Sequence, residues 1–109
     1  MTWALSASGT QSCTINTEFT LTTDTTNGTF YFECDIANLV NGDVLEARIY
    51  TMTLAGGTLR VAWKSTYGPV PPVNSITPSP PQPSDQSIRV TLKQTAGVAK
   101  SVPWKLLRI

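Results

Sequence analysis

Two acidic side chains come closest to a catalytic or metal-binding pattern in this sequence. Glu33 and Asp35 lie two residues apart in a run that alternates polar and apolar side chains. On a strand this spacing puts both carboxylates on one face, roughly 6 to 7 Å apart. Such a separation also occurs in glycosidases and in calcium sites. An ordinary solvated strand face has the same spacing, and we favour that interpretation.

The other reactive side chains indicate little chemistry. The chain has no histidine, so Ser-His and Cys-His nucleophile pairs and histidine metal ligands are excluded. Cys13 and Cys34 alone make a weak zinc site, because zinc normally takes four ligands. If residues 12–22 and 29–36 pair as a hairpin about Asn27-Gly28, the two cysteines lie too far apart for a disulfide. We expect two buried free thiols, no metal or cofactor, and no enzymatic activity.

Composition favours a β-rich globular chain. The 109 residues are 40% hydrophobic and 14% charged, with a net charge of +1, which gives no reason to expect a nucleic acid or membrane partner. Arg60, Lys64, Arg89 and Lys93 form at most a modest basic face. No segment approaches the roughly 18 to 20 apolar residues of a membrane helix. Residues 1–6 lack the features of a secretion signal, so a cytoplasmic origin is expected.

Charges are divided along the chain. Six of the seven acidic residues precede Arg48, and all eight basic residues lie from Arg48 onward together with Asp85, so the two halves carry charges of −6 and +7. One interpretation is that the halves interleave in a sandwich and opposite charges meet across neighbouring strands. The other is a two-signed surface that orients copies of the protein against each other or against a host surface.

Short runs with a period of two indicate that these residues lie on strands. Gly9-Thr10 is expected to end the first run, Asn27-Gly28 to form a hairpin turn, and Ala55-Gly56-Gly57 to join a second hairpin. The fold predicted is one antiparallel β-sandwich domain over residues 1–109, of jelly-roll or Greek-key type, with seven to eight strands. The strands are predicted at about residues 3–8, 12–22, 29–36, 44–53, 58–66, 87–95 and 101–109.

A proline-rich stretch is the first candidate for binding a partner. Seven of the eight prolines lie within residues 68–86, which predicts an extended loop or arm with at most an edge strand near residues 73–77. Such long loops generally belong to binding sites. Its apolar side chains are candidate anchors, or else they cap the open end of the core. The candidate interface residues in and beside this stretch are Tyr67, Val70, Val73, Ile76, Pro80 and Pro81.

The C-terminal segment is the second candidate. Its side chains are apolar on both faces, including Leu107 and Ile109. It is therefore either a central buried strand or an edge strand whose second face meets another subunit.

A succession of segments between about residues 30 and 109 carries a resemblance to a known family. Together they resemble small virion proteins encoded by tailed bacteriophages, similar to the capsid decoration, or cement, proteins that adopt jelly-roll sandwiches on the outside of a head. The segments are Phe32-Glu33-Cys34-Asp35-Ile36, Asn41-Gly42-Asp43-Val44-Leu45-Glu46-Ala47-Arg48-Ile49-Tyr50, Leu54-Ala55-Gly56-Gly57, the proline-rich stretch, Ser84-Asp85-Gln86-Ser87-Ile88-Arg89-Val90-Thr91-Leu92-Lys93-Gln94-Thr95-Ala96-Gly97 and Pro103-Trp104-Lys105.

The resemblance implies a non-enzymatic protein that is assembled in the host bacterial cytoplasm and lies on the capsid exterior of the virion. There it would bind neighbouring subunits of the major capsid protein, as a dimer or trimer. The alternative is a carbohydrate-binding or tail-associated adhesion module, which needs exposed aromatic side chains. Tyr31, Tyr50 and Tyr67 are the aromatic residues whose position predicts exposure.

Overall fold

The computed structural model describes residues 2–109, which form two antiparallel sheets packed face to face. The strands in this range are β1 Ala4–Ser12, β2 Glu18–Asp24, β3 Gly28–Asp35, β4 Val44–Thr51, β5 Arg60–Tyr67, β6 Ile76–Pro78, β7 Gln82–Ser84, β8 Ile88–Ala96 and β9 Ser101–Arg108. Sheet A has the strand order β1-β9-β3, with β6 and β7 both paired to the far edge of β3, and sheet B has the order β2-β8-β4-β5. The all-β sandwich expected from the sequence is confirmed.

The core lies between the sheets and follows the alternation of the sequence. Each central strand turns every second side chain inward, as a pleated strand with one buried face must. Full burial stabilises the fold by about 1.5–3 kcal/mol for each large apolar side chain. The buried residues on the central strands are Phe30, Phe32 and Cys34 on β3, Leu45, Ala47 and Ile49 on β4, Ile88, Val90 and Leu92 on β8, and Val102 and Leu106 on β9.

The long strand predicted over residues 12–22 is wrong. The chain leaves sheet A after β1, makes a turn at residues 13–17, and enters sheet B as β2. Asn16 takes a positive φ of 63° in this turn, a conformation that asparagine tolerates better than most residues. The alternation of polar and apolar residues in the sequence runs across the end of β1, because Cys13, the first residue of the turn, is also buried in the core.

The end predicted for the first strand at Gly9-Thr10 is also wrong. β1 continues to Ser12 and pairs with β9, with Gly9 opposite Trp104. A Cβ atom built at Gly9 would lie 3.4 Å from the indole ring of Trp104. This is ordinary van der Waals contact, so Gly9 packs against the tryptophan within the strand and does not end it.

One of the two predicted hairpins is present. β4 and β5 pair from Leu45–Tyr67 to Thr51–Arg60, as expected. The hairpin predicted about Asn27-Gly28 is absent, because β2 pairs with β8 and β3 pairs with β9. This turn carries the chain from one sheet to the other.

The proline-rich stretch contains more regular structure than the single edge strand predicted near residues 73–77. β6 and β7 both cover the free edge of β3. The backbone N–H of Phe32 donates to Ser79 Oγ at 3.0 Å, and the N–H of Ser79 donates to the carbonyl of Phe32 at 2.7 Å. Prolines are compatible with this position because an edge strand uses only one side of its backbone for pairing. Residues 68–75, which precede β6, are called the arm below.

The ion pairs agree in part with the interleaving interpretation of the charges. Of the five ion pairs among residues 2–109, two join neighbouring strands, Glu46–Lys64 between β4 and β5 and Glu33–Lys105 between β3 and β9. The other three are Glu18–Arg48, Glu46–Arg48 and Asp43–Lys100.

Candidate functional site

The outer face of sheet A carries apolar side chains that nothing in residues 2–109 covers completely. Leu107 lies on the central strand β9 and is directly opposite Leu5 on β1 and Tyr31 on β3. Leu5 is 61% exposed. Trp3 packs against Tyr31 with ring centroids 5.9 Å apart and an angle of 51° between the planes. Together, Leu5, Leu107, Trp3 and Tyr31 form a row of apolar side chains on the outer face of sheet A.

An open groove of about 220 Å³ lies next to this row, where Glu33 and Asp35 project from β3. The pairing of β3 with β9 ends at Cys34–Trp104, and the next residue, Pro103, has no N–H with which to continue it. The groove lies beside the end of this pairing, on the face of sheet A that carries Ser8, Glu33 and Lys105. The lining residues are Ser8, Glu33, Cys34, Asp35, Ile76, Pro103, Trp104 and Lys105.

The two carboxylates in the groove have different partners. Glu33 Oε1 lies 3.1 Å from Lys105 Nζ, and Asp35 Oδ1 accepts the backbone N–H of Ala37 at 2.9 Å. Partial burial raises the pKa of the Tyr31 hydroxyl, and the charge of Glu33 and a hydrogen bond with it add to that rise. Within residues 2–109 no three acidic, cysteine or histidine side chains are placed to hold a metal ion. The groove is thus suited to binding hydrogen-bond donors and cations.

Predicted anchors of the proline-rich stretch occupy different environments. Val70 is 73% exposed and Val73 is fully exposed, so neither caps the core. Ile76 is 47% exposed and lines the groove from β6. Pro80 and Pro81 are exposed in the connection between β6 and β7.

Tyr67, at the start of the arm, is half-buried. It lies at the end of β5 opposite Leu45 and packs against the core. Its aromatic ring therefore fixes the arm to the sandwich.

The C-terminal segment is a central strand, which is one of the two positions predicted for it. β9 lies between β1 and β3, and Ile109 exchanges backbone hydrogen bonds with Thr29. Leu107 and Ile109 are half-buried. Leu107 faces away from the core because it alternates with the buried Leu106.

The outer face of sheet B differs because several of its charged side chains form ion pairs with one another. Glu18 lies 3.3 Å from Arg48 and accepts hydrogen bonds from Thr91 and Tyr50. Partial burial raises the pKa of Glu18, but these hydrogen bonds and the Arg48 charge outweigh it and hold the pKa below its usual value. The Arg89 guanidinium lies 4.7 Å from the centroid of the Tyr50 ring. Tyr50 is thus occupied by contacts within the protein.

Both cysteines are free and buried, as expected. Cys34 Sγ lies 3.0 Å from Thr77 Oγ1, and burial raises the pKa of its thiol to about 11. Burial also raises the pKa of Cys13. The reactive form of cysteine is the thiolate, and a raised pKa keeps both thiols protonated. Cys13 and Cys34 are therefore poor nucleophiles, and they pack as core residues.

Sequence reasoning missed two features of these surfaces. Trp3 was placed on the first strand without being recognised as an exposed aromatic, although it is 41% exposed. The groove was the second feature; it lies where the pairing of β3 with β9 ends, and a single proline within the last strand, Pro103, was the signal that pairing could end there.

Comparison with protein-family models, with curated proteins and with solved structures finds no match to this chain. The likeness to phage capsid decoration proteins therefore remains a prediction from the sequence pattern. None of the described residues forms a helix long and apolar enough to cross a membrane.

Proposed function

We propose that this chain is a non-enzymatic structural protein of a tailed-phage virion that decorates and stabilises the capsid. It binds neighbouring major capsid subunits from the capsid exterior after assembly in the host cytoplasm. The observation that carries the proposal is the exposure of two valines on the arm, Val70 at 73% and Val73 completely. Binding residues are frequent on loops, and neighbouring exposed apolar side chains mark binding surfaces.

The arm is built to dock with a small entropic cost. Both of its ends are fixed by strands, β5 before it and β6 after it. Pro69, Pro71 and Pro72 restrict the conformations of the free arm, so less freedom is lost when it binds. Burying each valine against a partner contributes about 1.5–3 kcal/mol.

Several weak contacts at each capsid position give slow release. Pro80 and Pro81 offer a second exposed apolar segment, and the half-buried Leu107 and Ile109 on sheet A offer a third apolar contact. If two of these segments engage neighbouring subunits at once, the second contact forms at a high effective concentration. A dimer or trimer of the protein provides more of these contacts. Because they join neighbouring capsid subunits, they oppose the separation of those subunits.

The first test replaces both arm valines by aspartate. The Val70→Asp/Val73→Asp variant should bind heads of the parent phage at least about tenfold more weakly in co-sedimentation, since two apolar contacts are lost and charges are introduced. Leu54→Asp is the matched control, because Leu54 is also 73% exposed but lies in the turn between β4 and β5. Unchanged binding of the double variant, with a native circular dichroism spectrum, contradicts the role of the arm.

A carbohydrate-binding or tail-associated adhesion module is the second candidate. The Trp3–Tyr31 pair favours it, because Trp3 is 41% exposed beside Tyr31 and an exposed aromatic ring is what such a module needs. On this alternative the protein binds glycans on an array, and Trp3→Ala reduces the signal several-fold while capsid binding is absent. Capsid binding by the wild-type protein without any glycan signal excludes the alternative.

A further inference from the structure

The groove on sheet A has a chemical character that capsid docking through the arm does not use. We propose that it receives the side chain of an arginine from the partner protein, with the guanidinium next to Asp35. The inference rests on the proposed function only for the identity of that partner. Its evidence is the charge, the walls and the size of the groove.

The charge of the groove is complementary to a cation. It contains two carboxylates, Glu33 and Asp35, and one ammonium group, Lys105, which gives a net charge of −1 on a protein whose total charge is +1. Lys105 is paired with Glu33 at 3.1 Å. Asp35 takes part in none of the ion pairs found among residues 2–109. An incoming cation can therefore pair with the Asp35 carboxylate without displacing a basic side chain of this protein from it.

The walls of the groove favour arginine over lysine. Ile76, directly opposite Asp35 in the pairing of β3 with β6, and Pro103 provide apolar surface beside Asp35. Such surface suits the methylene stem of a long basic side chain. A guanidinium is flat, weakly hydrated and able to donate two parallel hydrogen bonds to a carboxylate, whereas an ammonium group is strongly hydrated.

The size of the groove fits one side chain. At about 220 Å³ it is smaller than the roughly 300–1,000 Å³ of pockets that hold drug-sized ligands. Single arginines seated in pockets are frequent among the residues that dominate protein–protein affinity. The groove is thus a second contact point, beside the arm, for the same partner surface.

Lys105 gives the proposal a test with a predicted sign. Its side chain is 44% exposed and its ammonium group is already paired with Glu33, so it competes with an incoming guanidinium. Lys105→Met removes the competitor and leaves both carboxylates without an ion-pair partner, and it should strengthen arginine binding. Asp35→Asn removes the charge that the guanidinium meets, and it should weaken binding.

The experiment titrates the full chain with N-acetyl-arginine methylamide and follows backbone amide signals by NMR. We expect saturable shifts at Asp35, Trp104 and Lys105 with a dissociation constant in the millimolar range, weakened about fivefold or more by Asp35→Asn and strengthened by Lys105→Met. The uncharged analogue N-acetyl-citrulline methylamide is the matched control. Raising the salt from about 0.05 to 0.5 M should also weaken binding, because half-exposed charges are screened.

Three results overturn the inference: no shifts in the groove, equal shifts with citrulline, or shifts produced by a methyl glycoside and not by arginine. The test is independent of capsid docking. The Val70→Asp/Val73→Asp variant keeps the groove and should bind arginine like the wild type. A failure of the arm in the capsid assay and a failure of the groove in the titration can therefore be told apart.

Discussion

Asp43 is almost completely buried, although aspartate side chains usually lie at the protein surface. The carboxylate is 1% exposed, yet it accepts the backbone N–H groups of Val40 and Val98, both at 3.0 Å. Lys100 Nζ lies 3.7 Å away. The hydrogen bond from Val40 lowers the pKa of Asp43, and the contacts with Val98 and Lys100 outweigh the opposing effect of burial. The side chain ties the turn before β4 to the turn between β8 and β9.

This carboxylate should make stability depend on acid pH. Because the pKa of Asp43 is lower in the folded chain, its stabilisation is present above the unfolded value of about 3.9 and is lost as pH falls through the folded value. Asp43→Asn should cost about 1–3 kcal/mol near pH 7, since buried donors lose a charged acceptor. It should also flatten the fall in stability below about pH 5.

Urea unfolding of wild type and variant across that pH range measures both effects. Asp85→Asn serves as control, because Asp85 is exposed. An Asp43→Asn variant with the same stability and the same pH dependence as the wild type argues against a structural role for this carboxylate.

At the residue scale, the sequence predicted which side chains are buried, but it predicted few of the contacts between particular residues. The inward positions of β3, β4 and β8 follow directly from alternation. The free state of Cys13 and Cys34 was correct, but the supporting hairpin does not exist. Asp43 could not be recognised as buried, because its partners Val98 and Lys100 come from a turn more than fifty residues later in the chain.

At the scale of elements, β6 and β7 show how the proline-rich stretch belongs to the sandwich. Ser79 lies between them, is 4% exposed and hydrogen-bonds both the N–H and the carbonyl of Phe32. Removing residues 69–83 therefore removes the cover of β3 as well as the arm. For this reason substitutions in the arm test docking more cleanly than a deletion.

Ser79→Ala should lower the free energy of unfolding by about 1–3 kcal/mol, because the buried N–H of Phe32 loses the Oγ that it donates to. Urea unfolding at pH 7 provides the measurement. Pro80→Ala is the neighbouring control, since Pro80 is exposed and its change should stay within about 0.5 kcal/mol. Equal stability of the two variants means that the Ser79 hydroxyl contributes little to holding this stretch on the edge of β3.

Strands were easier to predict than their pairing. Alternation and turn residues located β3, β4, β8 and β9 closely, and the Gly56-Gly57 turn placed the β4–β5 hairpin. The break between β1 and β2 was missed because the alternating pattern continues through it. Pairings such as β1 with β9 join the two ends of the chain, and no local signal in the sequence encodes them.

On the scale of the whole molecule, the two outer faces are unlike. Sheet B presents paired charges around Glu18, Arg48 and Glu46. Sheet A presents the Trp3–Tyr31 pair, exposed leucine and the groove. The molecule is a slab of about 40 × 30 × 19 Å, so either face can cover a partner while the other remains in water. In our proposals, the outer face of sheet A and the arm contact the partner.

The sequence predicted the sandwich but not this difference between its faces. Both outer faces derive from strands with similar alternation, and which strands share a sheet decides where the exposed aromatic and apolar residues gather. The interleaving of the acidic and basic halves was predictable because opposite charges on neighbouring strands attract. The position of the groove was not, since it depends on the neighbours of Pro103 in three dimensions.

The most direct test is cryo-electron microscopy of the parent phage head, reconstituted with wild-type protein or with the Val70→Asp/Val73→Asp variant. The account predicts a small β-sandwich on the outside of the shell, with the arm in contact with the major capsid protein, and loss of that density with the variant. Density only in the tail, or full occupancy by the variant, contradicts it.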